Sequence, residues 1–151
     1  MNKLVTILAA LLLGCAAFNA SAQLKITGEG ESPKRVATLY QMHSWIYSAD
    51  GHFYIVAKTS NEFDRDMWFD LGDSREAALE SVTALLDILR EKDKGEHITI
   101  ESEGEEYLFT KDTILGTGYW SIIGVDTREV YAGHATLDES MLKKAVKYFG
   151  K

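Results

Sequence analysis

The four histidines His43, His52, His97 and His134 are the residues best suited to acid–base or metal chemistry near neutral pH. None has another histidine two, three or four positions away, the spacing by which sequence-close ligands usually converge on a metal. The spacing therefore predicts ordinary strand residues, with no metal and no cofactor. A fold that gathered His43, His52 and His134 beside an acid would reverse that expectation, and a small hydrolase using His43 or His134 with a carboxylate is the catalytic alternative.

The stretch EFDRDMWFDLGDSRE supplies Asp64, Asp66, Asp70 and Asp73, an oxygen-rich run of the kind calcium favours. Its glycine and final glutamate are out of place for an EF-hand loop, so a solvated turn is expected. Ser140-Met141-Leu142-Lys143 fits S-x-x-K, and Lys58-Thr59-Ser60 lies on a strand-forming stretch. Together these resemble the serine nucleophile motif and the K-T-G triad of penicillin-recognising serine enzymes. In that family the serine comes early and the lysine triad late. Here the order is reversed, and the chain is too short for the two-part fold the resemblance implies. There is no G-x-S-x-G, and Gly116-Thr117-Gly118 is too short for a nucleotide-binding loop.

Aromatic residues are the stronger signal. Trp45, Trp68 and Trp120 join Tyr40, Tyr47, Tyr54, Tyr107, Tyr119 and Tyr131, nearly all on expected strands. Large rings fill sheet cores, and tryptophan and tyrosine are also enriched where proteins grip partners. On the first strand segment both alternation classes carry rings, so a face without helices is expected to display some of them. Trp45, Tyr47, Trp68, Tyr119 and Trp120 are the candidate contacts. Ile114 and Leu115 join them as an apolar tip among the turn residues of KDTILGTG.

The elements that position these residues are legible in part. Asp50-Gly51 supplies the positive φ values of a tight hairpin between β-branched and aromatic runs, predicting a long strand from Val36 to Ser48 paired with His52 to Thr59. A short strand follows from Met67 to Leu71. In the next segment Ala78, Val82, Leu85, Leu86 and Leu89 recur at helical spacing, with Asp73 and Glu76 as a capping box and Gly95 as the stop. Burying that stripe contributes about 7 to 15 kcal/mol before chain entropy is subtracted. Ile98 and Ile100 alternate into a hairpin at Glu103-Gly104, and a further hairpin is expected at Asp126-Thr127. A last helix starts after Thr136, capped by Thr136 and Glu139, with Met141, Leu142, Ala145, Val146 and Phe149 inward and lysines toward its end. The expected fold is α+β, an antiparallel sheet of about six to seven strands with two helices on one face, ordered βββ-α-ββββ-α. No internal repeat is evident.

The first residues bear on where that domain works. Lys3, an apolar run from Leu4 to Leu13 and Ala20-Ser21-Ala22 have the layout of a secretory signal cleaved after Ala22. The run is too short to span a bilayer. Leu12-Leu13-Gly14-Cys15 resembles the lipobox of bacterial lipoproteins, which would instead anchor the chain through Cys15. Removing the first 22 of 151 residues leaves 129, with no cysteine, and loss of Lys3 takes the net charge from −7 to −8. Such a domain is held by its core rather than by disulfides, and its acidic surface argues against nucleic acid. Residues 23–34 read as a flexible lead-in and 35–151 as one domain. The small exported α+β form resembles many bacterial envelope proteins at the level of fold only. The function expected is a secreted or periplasmic non-catalytic module that binds a protein partner, with glycan binding by the strand aromatics as the alternative.

Overall fold

A computed structural model describes residues 32–60, 65–125 and 133–151. The expected leader, Cys15, most of the lead-in, Asp64, Tyr131 and the turn at Asp126-Thr127 lie outside the described residues.

Hairpins build the molecule. Strands β1 (Lys34–Tyr40), β2 (Ser44–Ala49), β3 (His52–Ala57) and β4 (Met67–Gly72) form one antiparallel sheet in sequence order. Helix α1 (Arg75–Glu91) follows, then β5 (His97–Ser102), β6 (Glu105–Ile114), β7 (Thr117–Gly124) and β8 (Ala135–Asp138) as a second such sheet, and finally α2 (Glu139–Phe149). The expected single sheet of six to seven strands is thus two sheets of four, and the order ββββα occurs twice.

The extra strand comes from the segment read as one long strand. Met42, at φ 63, turns the chain between β1 and β2 without a glycine or proline to announce it. Three other hairpins close with a residue at positive φ followed by glycine: Asp50-Gly51, Glu103-Gly104 and Leu115-Gly116. Both central residues at positive φ suit the right-handed twist of the flanking strands. The tip expected among the turn residues of KDTILGTG is therefore the two-residue turn Leu115-Gly116, with Ile114 ending β6 and Thr117 opening β7.

Helix α1 buries Ala78, Val82, Leu85, Leu86 and Leu89, the stripe its spacing predicts. Its N-cap is Ser74, whose Oγ accepts the Ala77 N–H at 3.1 Å, rather than Asp73 one residue earlier. Gly95, at φ 90, lies in the turn beyond the C-cap Lys92, where its N–H donates to the Lys111 carbonyl. In α2 the cap is Asp138, accepting from the Met141 N–H at 2.8 Å, while Thr136 stays in β8. A carboxylate at the positive end of the helix dipole also has the favourable charge.

The helices run against each other and each touches both sheets, α1 through β4 and β7 and α2 through β1, β7 and β8. One core results, in which Leu39, Ile46, Ile55 and Phe69 of the first sheet meet Phe109, Trp120, Ile122 and Leu137 of the second. Side chains join the sheets at two seams. Ser102 at the end of β5 bonds to the backbone of β4. Beyond β3, the Ser60 N–H donates to the His134 carbonyl and the Ser60 Oγ accepts the His134 N–H. Among the described residues, no helix is long and apolar enough to cross a membrane.

Candidate functional site

Strand alternation decides what the first sheet shows on the side away from the helices. Ile46, Ile55 and Phe69 point to the core, so Trp45, Tyr47, Tyr54 and Trp68 point away from it. The two-residue hairpin sets Tyr47 opposite Tyr54, and β3–β4 pairing sets Val56 opposite Trp68. The four rings are half-buried, and three of them meet at Trp68: Tyr47 and Trp68 are 5.1 Å apart at 50°, Tyr54 and Trp68 5.7 Å apart at 68°. At the sheet edge the Arg35 guanidinium lies 4.7 Å from the Trp45 ring centre and 5.8 Å from that of Tyr47, and donates to the Tyr47 hydroxyl at 3.3 Å. This places a cation on the ring faces.

The ring face continues into a groove of about 810 Å³, lined by Tyr54 and Trp68 from the first sheet and by Glu103, Glu105 and Tyr107 from the second. Arg65 and Asp66 line it as well. The β5–β6 turn holds Glu103 at φ 54, a backbone conformation more usual for Asn or Gly, and so fixes where its carboxylate projects. The Tyr107 hydroxyl donates to Glu105 Oε2 at 2.6 Å. Burial, and then the Glu105 carboxylate, push the Tyr107 phenol far above its ordinary range. Burial and the neighbouring Glu103 also raise Tyr54. Both tyrosines therefore stay neutral hydrogen-bonding groups at physiological pH.

Three of the sequence-selected residues, Trp45, Tyr47 and Trp68, are brought together on this face. Trp120 is not among them. It shares its alternation class with buried Ile122, is 0% exposed, and donates its indole N–H to the Leu85 carbonyl at 3.3 Å. A ring locked under α1 is core and presents nothing to a partner. Tyr119 belongs to the second sheet, its hydroxyl donating to Asp112 Oδ2 at 3.1 Å. Ile114 and Leu115 form the tip of the β6–β7 hairpin, with Leu115 wholly exposed. None of these last three lines the groove.

Sequence reasoning missed Tyr54, Tyr107, Glu103 and Glu105 as site residues. Tyr54 carried a usable signal, because a two-residue turn at Asp50-Gly51 fixes its pairing with Tyr47. For the others nothing in the local sequence says that the end of the second sheet meets the side of β4.

The histidines are dispersed. His43 stacks on Tyr40 with ring centres 5.4 Å apart, His52 Nδ1 lies 3.0 Å from Asp70 Oδ2, His134 Nδ1 lies 3.1 Å from the Ser60 hydroxyl, and His97 is exposed on β5. Among the described residues no three His, Cys, Asp or Glu side chains converge as a metal site would need. Asp70 serves His52 and the Gly72 N–H. Ser140 is exposed in the first turn of α2, and Lys143 pairs with Glu139 at 2.9 Å. Comparison with protein-family models, curated proteins and solved structures gives no match.

Proposed function

We propose that this protein is a secreted or periplasmic, non-catalytic binding module that engages a protein partner at the bacterial envelope through the helix-free face of its first sheet. One observation carries the reading: Tyr47, Tyr54 and Trp68 are half-buried and packed together, Arg35 links Tyr47 to half-buried Trp45 on the same face, and Tyr54 and Trp68 line the groove. Rigid aromatic side chains gathered beside a concavity are what anchor partners in protein interfaces. The exposed Ile114-Leu115 tip supplies a second contact. Export with cleavage after Ala22 is part of the reading, and anchoring through Cys15 is its alternative; intact-mass analysis of the processed protein separates them.

The test is affinity capture from envelope extract with wild type, Trp45→Ala, Trp68→Ala and a control, Thr136→Ala, on the second sheet. Partners retained by wild type and control and reduced at least about tenfold by the tryptophan variants support the proposal. Equal recovery by all four overturns it.

A second reading, glycan binding, is favoured by the carboxylates of Glu103 and Glu105 beside the Tyr54 and Trp68 rings, since carboxylates accept from sugar hydroxyls. Glycan-array binding accompanied by a tryptophan fluorescence change supports it; silence in both excludes it. The hydrolase alternative has less support, because His43, His52 and His134 have separate neighbours and none of them lines the groove.

A further inference from the structure

Resting on the binding reading above, we propose that the groove receives a cationic side chain, arginine or lysine, from an extended segment of the protein partner, with Trp68 and Tyr54 as its aromatic walls and Glu103 and Glu105 as its counter-charges.

Charge is the first argument. Among the described residues, Asp66, Glu103 and Glu105 line the groove with Arg65 as the one cation, in a chain of net charge −7. Among the described residues neither Glu103 nor Glu105 is in an ion pair, unlike Asp112, Glu96 and Glu139, each of which has a lysine. The Glu105 carboxylate is held by the Tyr107 hydroxyl, a neutral donor that orients it and leaves its charge uncompensated. The groove therefore favours a positive ligand.

Ring geometry is the second. A pyranose stacks best on a flat platform, yet Trp68 is tilted 50° from Tyr47 and 68° from Tyr54. Rings set at such angles make a faceted wall, and a cation is attracted to the face of each. The same sheet face already holds a cation in this way, because Arg35 sits over Trp45 and Tyr47. Protonated tyrosines beside the carboxylates add hydrogen-bonding groups without adding charge of either sign.

The manner of binding follows from the sheet edge and the size of the groove. Strand β1 is interrupted by register shifts at Arg35/Ala37 and Thr38/Tyr40 and carries Lys34 and Arg35, features that discourage an added strand. Capture of a side chain in the groove does not depend on a free strand edge. A volume of about 810 Å³ far exceeds one guanidinium and accommodates the neighbouring residues of a peptide.

The experiment follows amide and indole N–H signals of the purified protein by NMR. The probes are Ac-Gly-Gly-Arg-Gly-Gly-amide, its Lys and citrulline counterparts, and chitohexaose. Expected is saturable movement centred on the Trp68 indole and the Glu103 and Glu105 amides, with Arg and Lys at least about tenfold tighter than neutral citrulline and weakened by salt. Glu103→Gln with Glu105→Gln keeps the acceptor for Tyr107 and lowers Arg binding at least about tenfold, with the core signals unchanged. Citrulline binding equal to arginine, an indifferent Gln variant, or chitohexaose alone moving these signals each overturns the inference. If the cationic peptides fail while Trp68→Ala still loses the captured partner, this inference falls and the binding face stands. If capture is also indifferent to Trp68, both fall.

Discussion

The Ser102 hydroxyl donates to the Trp68 carbonyl at 3.0 Å, and its oxygen accepts the Asp70 N–H at 2.9 Å. One buried side chain thus joins the last residue of β5 to the edge of β4 and holds Trp68, a ring of the aromatic face, beside the groove. Ser102→Ala leaves both backbone groups without that partner. The expected loss is about 1 to 3 kcal/mol in urea unfolding, together with shifted NMR signals for Trp68 and Glu103. An unchanged midpoint and spectrum would show that the seam is held by other contacts.

Leu86 on α1 is 5% exposed and faces the shared core. A carboxylate there has no partner, and its desolvation costs more than most single substitutions, so Leu86→Asp is expected to lose at least about 4 kcal/mol. Circular dichroism on heating should show no cooperative transition. A normal melting curve would mean that α1 does not pack as described.

Legibility followed how local the physics is. The α1 stripe is a repeat within one helix, and Asp50-Gly51 and Glu103-Gly104 state their turns in two residues. The turn at Met42 uses a residue that ordinarily avoids positive φ and has no glycine beside it, so it was not visible in composition, whereas the turn at Leu115 was visible only through the turn residues around it. Both helix caps were displaced from the expected residue because nearby positions offer equally good oxygens, Ser74 next to Asp73 and Asp138 two residues after Thr136. Trp120 was readable from Ile122 two positions on, which shares its face. The groove was not readable, because it exists only where β4 meets the end of the second sheet, and α1 separates those elements in sequence.

Gly72 closes β4 at φ 117, and a Cβ there would lie 2.7 Å from the Ala77 Cβ in the first turn of α1. Strained backbone and overpacking coincide at this position. Gly72→Ala is therefore expected to cost about 2 to 4 kcal/mol, read as a lowered denaturant midpoint. A neutral result would require α1 to shift away from the strand without loss.

The hydrogen bond and then the charge of Asp70 raise the His52 pKa above 6.5, against a small opposing effect of burial. Because the folded value is the higher one, the stability gained from the pair is fully present below the unfolded value. It is lost as pH rises through the folded value. NMR titration of the imidazole should give a midpoint above 6.5 in the wild type and a lower one in Asp70→Asn. Equal midpoints would show that the pair at 3.0 Å is not formed in solution.

Leu115 occupies the first central position of the β6–β7 turn at φ 49 and is wholly exposed. Both facts are unfavourable to the isolated chain: an L-residue without a short polar side chain is strained there, and an exposed leucine gains nothing from folding. Asparagine fits the same backbone with less strain and removes the apolar surface. Leu115→Asn is therefore expected to stabilise the protein by about 0.5 to 1 kcal/mol, raising Tm by a few degrees. If the tip contacts the partner, the more stable variant captures less of it, and stability and binding move in opposite directions. A gain in Tm with capture unchanged would remove Leu115 from the interface and leave the ring face of the first sheet as the site of contact.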